Sequence, residues 1–472
     1  GSIVTINGSG FGTVQGGSAV SFNGLVASIS GWSPSSIDAI VPNTTTTGPV
    51  VVTVSGIASN TLTFTVSPTI AGRSPISGPI GTSVVVSGTN FGPVQGSSTV
   101  TFSGVVASAT SWTDTSITAV VPSDATAGVN SIVVTVLGNA SNSVNFTVTP
   151  QVSSLNPSSG PGGTIVTIYG TSFGAAEDTV TIGGIVASVT SWTNTQVVAS
   201  VPASLGAGAQ NVVVTVGGNA SNNTVKFAVL GPTLTSLSPS SGPGGTTLTI
   251  YGANFGATPF TVTVGGASAS VVSWSNSQVV VTVPMSLAAG SQNVVVTTPA
   301  GSSGSLPFTV TPVISGLTPS SGATGTNVTI NGSGFGAAQG GSTVSFNGVN
   351  AGAASYWSGS VITVSVPASA SSGPVVVTVN GIASNSLGFS ISPNISNISS
   401  NSGAVGATVT LTGTGFGSSQ GSSVATFNGV VGLVSLWSNT SITLSVPSGA
   451  SAGVNSVIVT VGGIASNSVN FT

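Results

Sequence analysis

The chain is organised by a period of about 80 residues. Six tryptophans recur at intervals of 80, 80, 82, 83 and 80 residues, at Trp32, Trp112, Trp192, Trp274, Trp357 and Trp437. Six Phe-Gly pairs follow the same period, beginning at Phe11, Phe91, Phe173, Phe255, Phe335 and Phe416. Six Val-Pro pairs do so too, beginning at Val41, Val121, Val201, Val283, Val366 and Val446. Landmarks that repeat in step predict six copies of one small domain.

We place the six repeats at residues 1–66, 67–149, 150–230, 231–311, 312–392 and 393–472. Gly1 matches Gly81 of the second repeat, so the first repeat begins after the position of its own first strand. We therefore expect the array to continue before Gly1, or a neighbouring chain to supply the strand. Repeats five and six closely resemble repeats one and two, which indicates a larger unit of four domains.

The third repeat shows the local pattern most clearly. Its β-rich runs lie at 152–155, 164–169, 179–182, 185–189, 197–201, 211–216 and 225–229. A Pro, Ser and Gly run at 157–163 separates the first two, and Gly183-Gly184 and Gly217-Gly218-Asn219 form hairpin turns. Seven short strands without helical periodicity predict an all-β fold, a tandem array of six immunoglobulin-like antiparallel β-sandwiches with the first lacking its first strand. The junctions between neighbouring repeats are short and stiffened by proline, which favours a rod over a flexible chain.

Three motifs of this repeat resemble the signature of IPT/TIG domains. They are Leu155-x-Pro157-x-Ser159-Gly160-Pro161-Gly162-Gly163-Thr164, Ile168-x-Gly170-x-x-Phe173-Gly174, and the following Gly183-Gly184. Domains of this family occur in cell-surface receptors, bacterial surface proteins, carbohydrate-active enzymes and some transcription factors. The resemblance implies an immunoglobulin-like sandwich but no single function. The basic DNA-contacting loops of the transcription-factor branch are absent from this sequence.

Charge is almost absent. The chain has two cations, Arg73 and Lys226, and no His or Cys. Its five carboxylates are Asp38, Asp114, Asp124, Glu177 and Asp178. Roughly a quarter of the residues of a typical soluble protein are charged, against 1% here.

Two cations cannot neutralise a nucleic-acid backbone or form a polybasic membrane patch. No apolar run approaches the roughly 20 residues of a membrane span, so we expect neither nucleic-acid binding nor membrane insertion.

We also expect no catalytic, metal or cofactor-binding residues. A serine nucleophile needs a base, and the chain offers neither histidine nor a lysine near a recognisable motif. Glu177-Asp178 is the only acidic pair, whereas calcium takes six to eight oxygen ligands. We interpret this pair as a solvated loop and the glycines as turn residues rather than a phosphate loop. The sequence therefore predicts a protein that is not an enzyme and has no cofactor.

Asparagine sequons are the one class of site present in number. Twelve are candidate N-glycosylation sites, namely Asn7, Asn43, Asn139, Asn145, Asn219, Asn222, Asn327, Asn331, Asn394, Asn397, Asn439 and Asn470. In a chain this rich in Asn, Ser and Thr, many sequons arise by chance and stay bare. Ser- and Thr-rich loops such as 44–47 are alternative positions for O-linked sugars.

The six tryptophans have two interpretations. They are either stacking platforms for sugar rings or structural core residues that close each sandwich, and we favour the second because every repeat has one at the same place.

Together these features predict an extracellular or cell-surface structural protein, whose rod of domains assembles with itself into a filament, sheath or surface layer and carries attached glycans. The alternative is the stalk of a cell-surface adhesin that displays a binding domain elsewhere. A third possibility is a noncatalytic segment of a glycan-active enzyme.

Overall fold

The computed structural model describes residues 1–472, which form strands and turns with no helix. The chain divides into two compact units, Gly1–Val229 and Leu230–Thr472, of three repeats each. This architecture confirms the predicted all-β class and the six immunoglobulin-like units.

A complete repeat has ten strands, which we number β1 to β10 by their position in the repeat. In the third repeat they are β1 Gln151–Asn156, β2 Ser159–Gly160, β3 Ile165–Thr171, β4 Thr179–Ile182, β5 Ile185–Val186, β6 Ser188–Trp192, β7 Gln196–Ser200, β8 Gly208–Val216, β9 Asn219–Ala220 and β10 Lys226–Val229. The seven predicted runs are all present, although the run at 185–189 is divided between β5 and β6. The two-residue strands β2 and β9 were not predicted.

The strands form two facing sheets. One has the order β1-β3-β7-β6 and is antiparallel throughout. The other has the order β2-β10-β8-β4-β5, with β9 paired to β8. Its one parallel pair joins β2 to β10, through Ser159 opposite Ala228 and Gly160 opposite Val229.

The other repeats follow this plan. The second has strands Thr69–Ser74, Ser77–Gly78, Ser83–Thr89, Thr99–Phe102, Val105–Val106, Ser108–Trp112, Ser116–Val120, Gly128–Val136, Asn139–Ala140 and Val144–Val148. The fourth has Thr233–Ser238, Ser241–Gly242, Thr247–Ala253, Thr261–Val264, Ala267–Ser268, Ser270–Trp274, Gln278–Thr282, Gly290–Thr298, Gly301–Ser302 and Leu306–Val310. The fifth has Val313–Thr318, Ser321–Gly322, Asn327–Ser333, Thr343–Phe346, Val349–Asn350, Tyr356–Trp357, Val361–Ser365, Gly373–Val379, Ile382–Ala383 and Leu387–Ile391.

The first and last repeats have fewer strands. The sixth has no β2 and consists of Asn394–Ile398, Thr408–Thr414, Val424–Phe427, Val430–Val431, Leu433–Trp437, Ser441–Ser445, Asn455–Val461, Ile464–Ala465 and Val469–Phe471. The first has neither β1 nor β2 and consists of Ile3–Asn7, Ala19–Phe22, Leu25–Val26, Ser28–Trp32, Ser36–Ile40, Gly48–Val54, Ile57–Ala58 and Leu62–Phe64. The predicted absence of the first strand from the first repeat is confirmed.

Alternating side chains build the core between the sheets. In β3 of the third repeat Val166 and Ile168 are fully buried, whereas the neighbouring Ile165 and Tyr169 are exposed. This period of two is what a strand with one buried face requires. Phenylalanines fill the centre in several repeats as edge-to-face pairs, for example Phe102 and Phe146 with ring centroids 5.6 Å apart.

The chain changes sheets at one small residue. Ala187 lies between β5, which pairs with β4, and β6, which pairs with β7. Its amide donates to the Val180 carbonyl at 2.9 Å, and its side chain is 5% exposed. A larger side chain would have to displace the packed core at this crossing.

Candidate functional site

Each tryptophan ties strand β6 to the loop between β3 and β4, which contains the Phe-Gly pair. Its indole Nε1 donates to a backbone carbonyl of that loop at 2.8 to 3.2 Å in all six repeats. The acceptor is the Phe carbonyl in five repeats and Gly256 in the fourth. The six indoles are half-buried against the cores. This arrangement uses the only donor of the indole for a structural bond.

An asparagine clamp joins the two sheets in four repeats. In the third repeat Asn222 Oδ1 accepts from the Val152 amide at 2.7 Å, and Asn222 Nδ2 donates to the Val152 carbonyl at 2.9 Å. Asn142, Asn385 and Asn467 bind Ile70, Ile314 and Ile395 in the same way. Each clamp therefore fixes the second residue of β1 to the loop before β10.

The sequence pattern alone does not reveal this clamp. It presents Asn222 as a sequon and gives the other three asparagines no role. The available signal was the segment Ala-Ser-Asn, which recurs in five repeats at Ala58, Ala140, Ala220, Ala383 and Ala465. Its serine also has a structural contact, since Ser221 Oγ accepts from the Val214 amide at 3.0 Å.

The sequons differ in accessibility. Seven are exposed, namely Asn7, Asn43, Asn145, Asn327, Asn331, Asn397 and Asn470. Five are half-buried, namely Asn139, Asn219, Asn222, Asn394 and Asn439. The Asn222 Nδ2 also donates to Thr224 Oγ1 at 2.8 Å, so both of its hydrogens are used and a sugar on this nitrogen would remove one of the two bonds. The exposed seven are the better acceptors, and their occupancy stays a prediction.

All seven charged side chains lie in the first unit. Residues 230–472 contain no Asp, Glu, Lys or Arg. Glu177 and Asp178 are exposed in the loop before β4, and the Asp178 carboxylate accepts from the Gly217 amide at 2.9 Å. Nowhere in residues 1–472 do three His, Cys, Asp or Glu side chains come together as a potential metal site.

Strand β5 forms an exposed, uncharged edge. It ends its sheet, and its second residue is a valine in four repeats. These residues, Val26, Val106, Val186 and Val431, are 54% to 70% exposed. Proteins usually protect such edges with charged residues, proline or short strands. β5 is only two residues long, but no charged residue or proline lies in β5 or β6 of any repeat. We call these four valines with their strands the β5 edge.

The sixth repeat extends the apolar surface into β6. Its Leu433 and Leu436 are 77% and 69% exposed, beside Val431. The corresponding positions in the third repeat are Ser188 and Ser191. No helix in the structure has the length and apolar character needed to cross a bilayer.

Two facing, mainly antiparallel sheets, repeated along one chain with a Trp and a Phe-Gly pair at corresponding places, define a tandem array of immunoglobulin-like domains. The family model described as the IPT/TIG domain matches residues 1–66, 68–149, 150–229, 232–311, 312–391 and 393–472. The chain therefore belongs to the IPT/TIG family, as its motifs predicted.

Comparison with other proteins adds nothing more specific. No curated protein sequence matches the chain. A crystal structure with a xylogluco-oligosaccharide is 16% identical, with a TM-score of 0.29, and the match covers 61% of this chain and 80% of that one. The full extracellular region of Plexin A4 is 13% identical, with a TM-score of 0.22. That match covers 95% of this chain and 52% of Plexin A4, so the chain spans about half of that region.

The surface glycan-binding protein PbSGBP-B from Prevotella bryantii is 18% identical, with a TM-score of 0.24, covering 34% of this chain and 42% of that protein. Similarity at this level does not extend to function.

Proposed function

We propose that this chain is a noncatalytic, extracellular structural protein whose array of domains forms a rod that assembles with other copies of itself. The β5 edge is the observation that carries the proposal. It repeats along the chain, exposes valine on a strand whose outer edge is unpaired, and has no charge to prevent pairing with a second molecule. A filament, sheath or surface layer is the form of assembly we expect.

Contacts between consecutive repeats of the second unit support a stiff arrangement of its three repeats. In the second unit the Ala289 amide donates to the Gly334 carbonyl at 2.9 Å. Asn380 Nδ2 returns a bond to the Ala289 carbonyl at 2.8 Å, and Ala289 is 1% exposed. These contacts join the fourth repeat to the fifth. The Thr324 and Thr414 hydroxyls, 2.9 Å apart, join the fifth to the sixth.

The near absence of charge also supports packing of one rod against another. Burying a charge at an interface costs free energy unless it is paired and hydrogen-bonded. Neutral Ser, Thr and Val surfaces avoid that cost. A location outside the cell agrees with the exposed sequons, and glycans attached there would hydrate faces that are not buried in the assembly.

Lysines on the β5 edge test this proposal. The variant Val106→Lys with Val186→Lys places two charges on the edge. Its matched control, Val14→Lys with Val94→Lys, adds the same charge at valines that are 74% and 71% exposed in loops outside the strands. Negative-stain electron microscopy and sedimentation compare both variants with the unaltered chain.

We expect the unaltered chain and the control to form polymers and the edge variant to stay as single chains, because a buried lysine would have no partner. Equal assembly of the two variants would contradict the role of the β5 edge. Isolated rods from the unaltered chain would instead favour the stalk of a surface adhesin.

A further inference from the structure

Exposed tyrosines lie on the outer face of one sheet in the third and fourth repeats. Tyr169 stands in β3 of the third repeat, directly opposite Ser154 of β1 and Gln196 of β7. The fourth repeat has the same row, namely Ser236, Tyr251 and Gln278. The two tyrosines are 39% and 41% exposed. We call each of these sets of three side chains a tyrosine row.

The polar side-chain groups of a row are free to bind a ligand. Ser153 Oγ donates to the Tyr169 carbonyl at 3.0 Å, and Thr193 Oγ1 exchanges two bonds with the Gln196 backbone at 3.0 Å each. These bonds use backbone groups, so the Tyr169 hydroxyl and the Gln196 amide have no partner within the chain. Each row therefore offers an aromatic ring, a hydroxyl, and an amide that can both donate and accept.

The tyrosines are accessible in a way that the tryptophans are not. The Trp192 indole is half-buried and donates to the Phe173 carbonyl at 2.9 Å. Tyr169 follows the fully buried Ile168 in β3, so the alternation of the strand turns its ring away from the core. Of the two kinds of aromatic residue considered for stacking on sugars, the tyrosine is the exposed one.

The chemistry of the rows fits a neutral saccharide. No charged residue lies on any strand of this sheet in either repeat, so nothing there selects a charged ligand. The face of a phenol ring carries partial negative charge, which attracts the C–H groups of a sugar ring. The neighbouring amide can bond to the sugar hydroxyls. An added peptide strand would need a free sheet edge, whereas β3 and β7 are inner strands.

The fifth repeat carries candidate sugar acceptors where these repeats carry the rows. Its β3 has Asn331 at the position of Tyr169 and Asn327 at the position of Ile165. Both asparagines are exposed and lie in sequons. The same outer face therefore presents an aromatic ring in two repeats and a candidate glycan site in another.

We propose that each tyrosine row binds one ring of a neutral saccharide, and that the saccharide belongs to a glycan attached to a second copy of the chain. The ring would stack on the tyrosine, and the glutamine amide would hydrogen-bond to its hydroxyls. One flat contact is weak, with a dissociation constant of about 1 mM, but contacts repeated along two chains add up. The source of the saccharide rests on the proposed self-assembly, whereas the binding site does not.

Binding of free oligosaccharides tests the rows separately from assembly. The probes are the neutral sugars maltohexaose, cellohexaose and mannohexaose, each titrated against the whole 472-residue chain. Saturation-transfer NMR detects weak binding and gives the dissociation constant. The tyrosine variant is Tyr169→Ala with Tyr251→Ala, and the glutamine variant is Gln196→Ala with Gln278→Ala. The matched control is Tyr356→Ala, at a tyrosine that is 56% exposed and stands opposite threonine.

We expect at least one hexaose to bind the unaltered chain. The tyrosine variant should raise its dissociation constant at least about tenfold, through loss of the stacked ring. The glutamine variant should raise it about fivefold, through loss of a hydrogen bond in each row. Tyr356→Ala should leave it unchanged, because no glutamine completes a row there.

A second experiment identifies the source of the saccharide. Asn327→Gln with Asn331→Gln removes both acceptors from the fifth repeat, and the control Asn145→Gln removes an exposed sequon from the other kind of sheet. For chains made in a glycosylating host, mass spectrometry reports occupancy and sedimentation reports assembly. We expect the tyrosine variant and the double asparagine variant to need at least about fivefold more protein to assemble. Asn145→Gln should assemble as the unaltered chain does.

Failure of every hexaose to bind, or equal binding by the tyrosine variant, would overturn the binding site and leave the proposed function standing. Bare asparagines at 327 and 331, or unchanged assembly of their variant, would overturn the attached glycan as the source. Loss of assembly by the tyrosine variant of a glycan-free chain would replace the glycan by direct protein contact with a second copy. Hexaose binding by a chain that never assembles would overturn the proposed function and the source together.

Discussion

A single side chain connects the two sheets of a repeat. Asn222 lies in the loop before β10 and holds both backbone groups of Val152 in β1. A neutral hydrogen bond contributes about 1 kcal/mol net, so the pair is worth about 2 kcal/mol to the docking of β1. The same bonds occupy the nitrogen that glycosylation would modify.

We expect Asn222→Ala to loosen β1 of the third repeat while the rest of the repeat stays folded. Two lost bonds correspond to about 1 to 2 kcal/mol, so amide hydrogen exchange at residues 151–156 should speed up by about 5- to 30-fold. Asn223→Ala, at the exposed neighbour, is the matched control. Unchanged exchange in the Asn222 variant would show that the clamp has no energetic role.

For single residues, the sequence predicted which ones recur in each repeat but not their hydrogen-bond partners. The period of Trp192 and its counterparts was visible, but its bond to the Phe173 carbonyl depends on how a distant loop folds. Asn222 fits a sequon and a clamp equally well in the sequence. Only the position of Val152, 70 residues earlier, distinguishes them.

At the scale of strands, the passage of the chain from one sheet to the other builds the two-sheet sandwich. The run at 185–189 is uniformly apolar apart from Ser188, with Ala187 at its centre. Its first part pairs with β4 and the following β6 with β7. Ala187 is 5% exposed, so the change of sheet occurs where a larger side chain has little free space.

Ala187→Val should destabilise the third repeat by about 1 to 3 kcal/mol, because the site is closed and added methyl groups must displace core atoms. Ala176→Val, in an exposed loop of the same repeat, should have no comparable effect. Denaturant unfolding followed by hydrogen exchange of each repeat measures the difference. If both variants were equally stable, the crossing would not be tightly packed.

The sequence predicted the longer strands because their β-branched runs and glycine turns are local signals. Gly183 and Gly184 have φ values of 60° and 80°, as the primed turn between β4 and β5 requires. The pairing of Ser159–Gly160 with β10 could not be predicted, since it joins residues about 70 positions apart in a run of turn formers. The division at Ala187 also depends on tertiary packing, not on the local pattern.

Across the whole molecule, charge is the property that sets this chain apart. Every charged residue precedes position 230, and the total is two cations and five carboxylates. The proposed assembly would therefore depend on apolar burial and neutral hydrogen bonds. Composition predicted this property directly, whereas the β5 edge required the structure.

The melting temperature should change by no more than a few degrees between about pH 5 and pH 9. Stability depends on pH only where folded and unfolded forms bind different numbers of protons. The chain has no histidine or cysteine, so no side chain has an ordinary pKa in that range. Scanning calorimetry of material without charged sugars checks this expectation. A larger change in the melting temperature would show that the pKa of some group is strongly shifted in the folded protein.

Sedimentation of the assembled protein in low and molar salt tests the central claim most directly. At 1 M the Debye length is about 3 Å, so contacts that depend on exposed charges weaken, whereas neutral contacts do not. We predict that the fraction of protein in polymers is the same in about 0.05 M and about 1 M sodium chloride. Dissociation into single chains in molar salt would contradict assembly through neutral faces.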